Sequence, residues 1–153
     1  MIVQRNVGDD NHGKVLAAFI GESERIVLCS GWLDYPGIKL LLPSFDLALA
    51  RGAAIRVYSN KKHTNAGAAR ALAKRSAITH VIADNTRRYL HTKLYFFENG
   101  DSYTAMIGSA NLTQGGLGCN EELSLILNGS YGDASHAQIT LYLAELAAAF
   151  PQC

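Results

Sequence analysis

Short apolar runs alternate with amphipathic stretches over the first half of this chain, and the alternation predicts strands and helices in turn. Residues 25–30 (Arg-Ile-Val-Leu-Cys-Ser) form an apolar run stopped by Gly31 and read as a buried strand. Residues 54–59 and 78–83 repeat the pattern. Between these runs, residues 12–20 suit a short helix and 66–74 an alanine-rich one. Residues 38–50 suit a longer helix, with Pro36 near its start and Gly52 beyond its end. Pro43 falls inside it, where the missing N–H and the bulky ring predict a kink or a break. The pattern then changes. Residues 90–97 and 102–107 read as strands joined by Glu98-Asn99-Gly100-Asp101, an Asn-Gly hairpin signal. Residues 122–127 follow as another strand and 138–150 as a closing helix. Early β-α alternation followed by hairpin-linked strands predicts an α/β fold, a mixed β-sheet with helices on both faces.

The length of 153 residues fits one domain spanning 1–153, and a hydrophobic fraction of 48% against 18% charged places the chain among globular proteins. No internal repeat is visible. The three cysteines (Cys29, Cys119, Cys153) are scattered and form no CxxC, so a reduced, cytoplasmic setting is expected. The N-terminal Met-Ile-Val-Gln-Arg-Asn lacks the apolar stretch of a secretion signal, and no segment approaches the roughly 20 apolar residues of a membrane span.

Charge changes the picture through its distribution. Net charge is +1, yet across residues 56–93 the basic Arg56, Lys61, Lys62, Arg70, Lys74, Arg75, Arg87, Arg88 and Lys93 meet a single acid, Asp84. Such asymmetry fits a polyanion-binding face, with solvated helix faces as the plain alternative. Lys61 and Lys62 follow the second strand, where parallel-sheet folds bind ligands, and Arg87 and Arg88 closely precede the next sheet segment. All four are candidate contacts to substrate phosphates. Trp32 and Tyr35, after the first strand, are placed either to stack on a base or to form a partly buried pair.

The chemistry concentrates in His91-Thr92-Lys93, Gly108-Ser109-Ala110-Asn111 and Asn120-Glu121-Glu122. Strand periodicity puts His91 and Lys93 on one side and Thr92 on the other. An imidazole there can attack phosphorus while the ammonium offsets charge on the non-bridging oxygens. Gly108 lets the backbone approach a ligand closely, and Ser109 and Asn111 bring hydrogen-bond donors to phosphate oxygens. Asn111 is also a candidate cap for the short turn that follows it. An acid at 121 or 122 can accept from the histidine's second ring nitrogen, but successive strand residues face opposite ways, so only one can reach.

These residues resemble the phospholipase D superfamily, whose signature is HxK, an acid after four further residues, and then GSxN. Glu98 stands where that acid is usually Asp, and nine residues separate it from Gly108 where the usual motif has six. A longer hairpin accommodates the difference and leaves the role of Glu98 open. Glu122, eleven residues after Asn111, matches the carboxylate of the superfamily's short nucleases, and Asn120 completes their NxE spacing. The wording is similar to the small single-motif members, the Nuc-type endonucleases and the catalytic domains of BfiI-type restriction enzymes. Gly-Ser-Ala-Asn-Leu-Thr leans toward the restriction and helicase-associated branch. The specific part of the resemblance is confined to residues 91–122.

The resemblance implies a phospholipase D-like fold and a metal-independent, cofactor-free phosphodiesterase with His91, Lys93, Ser109, Asn111 and Glu122 as its catalytic residues. Its mechanism uses two histidines, and this chain carries one motif, so a homodimer sharing one site about a two-fold axis is expected. Nucleic acid, DNA ahead of RNA, is the expected substrate. A phospholipid or other small phosphodiester is the first alternative, and a non-catalytic DNA-binding or dimerisation module the second. A restriction or helicase partner stays open. His12, His63, His80 and His136 lack metal-ligand spacing, so no metal is expected. His80 reads as a hydrogen-bonded histidine within a strand.

Overall fold

The computed structural model describes residues 1–86 and 88–151; Arg87 and Cys153, singled out above, lie outside the described residues. β1 (Ile2–Arg5) and α1 (His12–Glu22) come first, then β2 (Arg25–Ser30), α2 (Tyr35–Ala50) and β3 (Ala54–Asn60). A 3-10 turn (Lys61–His63), α3 (Ala66–Ala73) and β4 (Ile78–Ala83) follow. β5 (Lys93–Asn99), β6 (Ser102–Gly108), a π-helical turn (Gly115–Cys119), β7 (Leu123–Ser130) and α4 (Ala134–Ala149) complete the order. The strands form one sheet in the spatial order β1-β7-β6-β5-β2-β3-β4. β2, β3 and β4 run parallel and the remaining pairs antiparallel. The expected mixed sheet with helices on both faces is what forms.

Local chemistry sets several boundaries. α2 starts earlier than its apolar pattern predicts because Asp34 accepts from the Gly37 N–H at 2.6 Å and Pro36 occupies the first turn. Pro43 does not break it. Pro43 sits on the exposed side, while Ile38, Leu41 and Phe45 are fully buried on the other side. The hairpin between β5 and β6 closes over Gly100 and Asp101, and Gly100 has φ +55°, which a II′-type turn needs at its first central position. β1, which the sequence pattern does not mark, pairs with β7 at the sheet edge.

α1, α2 and α3 cover one face, burying Leu16, Ile38, Leu41 and Phe45 against Ile26, Leu28, Val57, Tyr95 and Met106. Among the described residues α4 lies alone on the other, with Ile139, Leu143 and Leu146 over Val27, Phe96 and Ala105. One helix cannot cover seven strands. On this face Ile107 opposes Leu125, and Leu125 opposes Val3. These three side chains and Leu123 are exposed, an apolar strip beside α4 that water covers in the single chain. No helix among the described residues is long and apolar enough to cross a membrane.

Glu98 sits at the far end of β5, roughly 17 Å from Lys93 at the usual rise per strand residue. Its buried carboxylate accepts from His136 Nε2 at 2.7 Å and from Arg25 Nη1 at 3.0 Å, tying β5 to β2 and α4. The acid in the signature position is therefore a structural tie. We expect Glu98→Ala to lower stability by about 1–3 kcal/mol, because it strands a buried imidazole nitrogen. Chemical denaturation measures this, and an unchanged midpoint would remove the assigned role.

Candidate active site

Four strand ends meet at one edge of the sheet. Ser30 at the end of β2 pairs with Lys93 at the start of β5, Leu94 pairs with Ile107, and Gly108 pairs with Ser124 near the start of β7. β5 begins at Lys93 rather than at residue 90 because β2 turns away at Gly31, which leaves residues 90–92 outside the ladder. The alternation expected for a strand survives there. Thr92 turns toward α4 and bonds the Tyr142 hydroxyl at 2.6 Å, while His91 and Lys93 share the other side. Gly31 packs beneath them: a Cβ added there would lie 3.1 Å from His91 Cα and 3.3 Å from its Cδ2.

His91 is exposed, and Lys93 Nζ donates to its Nε2 at 3.1 Å and to its carbonyl at 2.8 Å. An ammonium has only protons to give, so Nε2 is the acceptor and carries the free electron pair. Burial draws the Lys93 pKa below the usual lysine value, and the Glu122 carboxylate acts in the opposite direction. The two groups make one unit, an imidazole with a cation resting on it.

The Gly-Ser-Ala-Asn segment closes the other side. Tyr95, fully buried, donates its hydroxyl to the Ala110 carbonyl at 2.6 Å, and the Leu112 N–H donates to Ser30 Oγ at 3.0 Å. The Asn111 Oδ1 accepts from the Trp32 N–H at 3.2 Å. No described residue accepts from its Nδ2, which remains available to a ligand oxygen. Asn111 does not cap the following turn, as its side chain is committed to β2 and the π-helical turn has no side-chain cap. Gly108 also differs from expectation. A Cβ there would lie 2.3 Å from the Leu123 carbonyl and 2.5 Å from Ser124 Cα, so the close approach it permits is to β7.

Glu122 accepts from the Ser109 hydroxyl, whose oxygen also takes the Leu123 N–H at 3.1 Å. The expected bond from Glu122 to His91 is not formed, because Ser109 lies between β6 and β7 and takes the carboxylate first. Glu121 points away and pairs with Arg5 at 2.8 Å, which leaves Glu122 as the acid at the site. His91, Lys93, Ser109 and Asn111 line one open cleft of about 590 Å³ with Thr92, Ile107 and Gly108.

The other candidates divide. Lys61 and Lys62 are exposed in the turn after β3, at the same sheet edge. Arg88 lines a separate hollow with Tyr142 and Glu145 of α4. The basic stretch is less concentrated than its sequence implies: Lys74 and Arg75 end α3 at the opposite edge, and Arg75 is held by Asp46 at 2.6 Å. His80 bonds Ser59 Oγ at 2.8 Å, and burial pushes its pKa down to about 4. Trp32 stacks on His63 rather than pairing with Tyr35. His63 and Tyr89 stand beside the cleft without any local motif to mark them.

A family model described as "Cardiolipin synthase, PLD-like domain" matches residues 19–146. Among solved structures, Nuc from Salmonella typhimurium, a phospholipase D family member, superposes with a TM-score of 0.70 at 17% identity, over 94% of this chain and 91% of that one. NucT from Helicobacter pylori gives 0.66 at 14%, over 90% and 87%. Yeast tyrosyl-DNA phosphodiesterase gives 0.54 at 15%, over 82% of this chain and 31% of that one. At these identities the structures share the fold. No curated protein matches the chain.

The electrostatic coupling at the cleft has a measurable sign. In Glu122→Gln the influence that raises the Lys93 pKa is gone, so Lys93 should lose its proton at lower pH than in the unaltered protein. Carbon NMR titration of the lysine side chains reads this, and an unmoved Lys93 titration would show that the two groups are not coupled.

Proposed function

Since the chain belongs to the PLD-like domain family of the phospholipase D superfamily of phosphodiesterases, we propose that it is a single-domain, metal-independent nuclease working as a homodimer. One observation carries the reading: an exposed imidazole with its electron pair toward an ammonium, in a cleft that also holds an uncommitted amide. His91 Nε2 attacks phosphorus in line with the leaving oxygen. The nitrogen–phosphorus bond forms as the phosphorus–oxygen bond breaks, giving a phosphohistidine. Lys93 transfers its hydrogen bond from Nε2 to a non-bridging oxygen, and Asn111 Nδ2 and the Ser109–Glu122 pair flank the same group. The departing oxygen needs a proton, and water must later lose one as it displaces His91.

Among the described residues no second histidine is free to serve as that acid–base group. His12 is buried between Asn6 and Ser124, His80 bonds Ser59, and His136 bonds Glu98. His63 is stacked on Trp32 and bonded to the Tyr89 hydroxyl. The group is then His91 of a partner subunit. Support comes from the uncovered apolar strip of Val3, Ile107, Leu123 and Leu125, since Ile107 also lines the cleft. A second copy laid on this strip brings its own cleft to the same edge. Nucleic acid is favoured as substrate because the cleft is open and Lys61 and Lys62 are exposed in the turn after β3, at the same end of the sheet. DNA is placed ahead of RNA.

Three outcomes follow. Labelled DNA should be cut in the presence of EDTA, and His91→Ala should lower the rate on the order of 10⁴–10⁶-fold. Undiminished cutting by that variant would remove His91 as nucleophile, while no cutting by the unaltered protein would favour a binding module. Leu123→Asp with Leu125→Asp should convert a dimer to a folded monomer by light scattering and abolish cutting. A fully active monomer would end the shared-site reading.

A further inference from the structure

From the aromatic side chains beside the cleft we infer that Trp32, His63 and Tyr89 form a stacking wall for the unpaired bases of a single strand. This rests on the nucleic-acid reading of the cleft and names the form of substrate that it takes. Trp32 follows β2, His63 ends the turn after β3, and Tyr89 precedes β5, so the three come from separate loops. The indole and the His63 ring are stacked at 4.3 Å between centroids and 16° between planes. His63 Nε2 is bonded to the Tyr89 hydroxyl, and the Tyr89 ring lies 6.3 Å from that of His91. The row therefore runs from the nucleophile outward along the sheet edge.

The loops that carry Trp32 and His63 are pinned to each other. The Leu33 N–H donates to the His63 carbonyl at 3.0 Å, and the Asn65 N–H to the Leu33 carbonyl at 2.9 Å. The Trp32 N–H also holds the Asn111 side chain, so the indole and the uncommitted amide share one anchor. A row of rings needed only for packing would be buried. Instead Trp32 is 48% and Tyr89 52% exposed. Rigid, half-wet aromatic surface beside a phosphate-binding cleft, flanked by Lys61 and Lys62, has the chemistry of a single-strand platform: rings for base faces and cations for the backbone. A duplex keeps its base faces stacked on one another and offers none to the wall.

Trp32 is the sole tryptophan, so its fluorescence reports on the wall directly. The His91→Ala protein, which binds without turnover, is titrated with end-labelled oligodeoxyadenylate, with an abasic strand of equal length and with the corresponding duplex; label anisotropy gives binding and indole emission gives stacking. We expect quenching by oligodeoxyadenylate alone and roughly 10-fold weaker binding of the abasic strand. Trp32→Ala and, as a second variant, Tyr89→Ala should erase that preference, while Trp32→Phe keeps most of it. Equal binding of base-bearing and abasic strands, or binding of oligodeoxyadenylate without quenching, overturns the wall. Cutting of DNA without quenching defeats the wall alone, and quenching without cutting by the unaltered protein defeats the nuclease reading alone.

Discussion

The hydroxyl of Ser30 is the point on which the cleft depends. It is fully buried at the last residue of β2, accepts from the Leu112 N–H and donates to the Trp32 carbonyl. These two bonds fix the start of the loop after β2 and the loop after β6 against each other. Asn111 and Trp32 lie on those two loops and are joined across the same gap. Because Ser30 also sits opposite Lys93 in the ladder, the segment carrying His91 and Lys93 is referenced to the same point. A buried polar atom with every partner in place is a severe constraint, since losing one partner strands another in a dry environment. The position of the Asn111 amide is thus set by backbone contacts several bonds away from it.

Sheet closure supplies the rest. β6 and β7 approach so closely at Gly108 that a methyl group has no room, and the Ser109–Glu122 contact forms just beyond that crossing. Tyr95 holds Ala110 from below through a strand residue. The functional side chains are therefore carried on strand ends and on loops one or two residues from them. Short tethers of this kind limit the positional spread of these groups, which is what the proposed in-line displacement at phosphorus demands.

Much of this was legible in the order of residues. β2, β3 and β4 were marked by apolar runs, and the hairpin by Asn99-Gly100, because those features report local preference and burial on both faces. β1 was not, since its four residues alternate without distinction and its pairing with β7 is decided by distant chain. That His91, Lys93 and Asn111 would meet in one cleft could be read from spacing. The partner of Glu122 could not, because spacing offers both Ser109 and His91 and only the sheet geometry selects one. Glu98 kept its position in the motif yet serves the opposite edge of the sheet. The row of Trp32, His63 and Tyr89 is invisible to spacing, as the parallel crossovers alone bring residues so far apart in the chain together.

The contact between Lys93 and His91 Nε2 has a consequence for the empty protein. With the electron pair engaged by an ammonium, the ring is a poor target for stray electrophiles and a poor nucleophile toward neutral ones. An incoming anion competes for the same ammonium and, in winning it, uncovers the nitrogen at the moment a reactive centre is adjacent. If His91 is the nucleophile, as proposed, its reactivity is latent until a ligand of the right charge arrives, and the resting side-chain geometry disfavours uncharged esters.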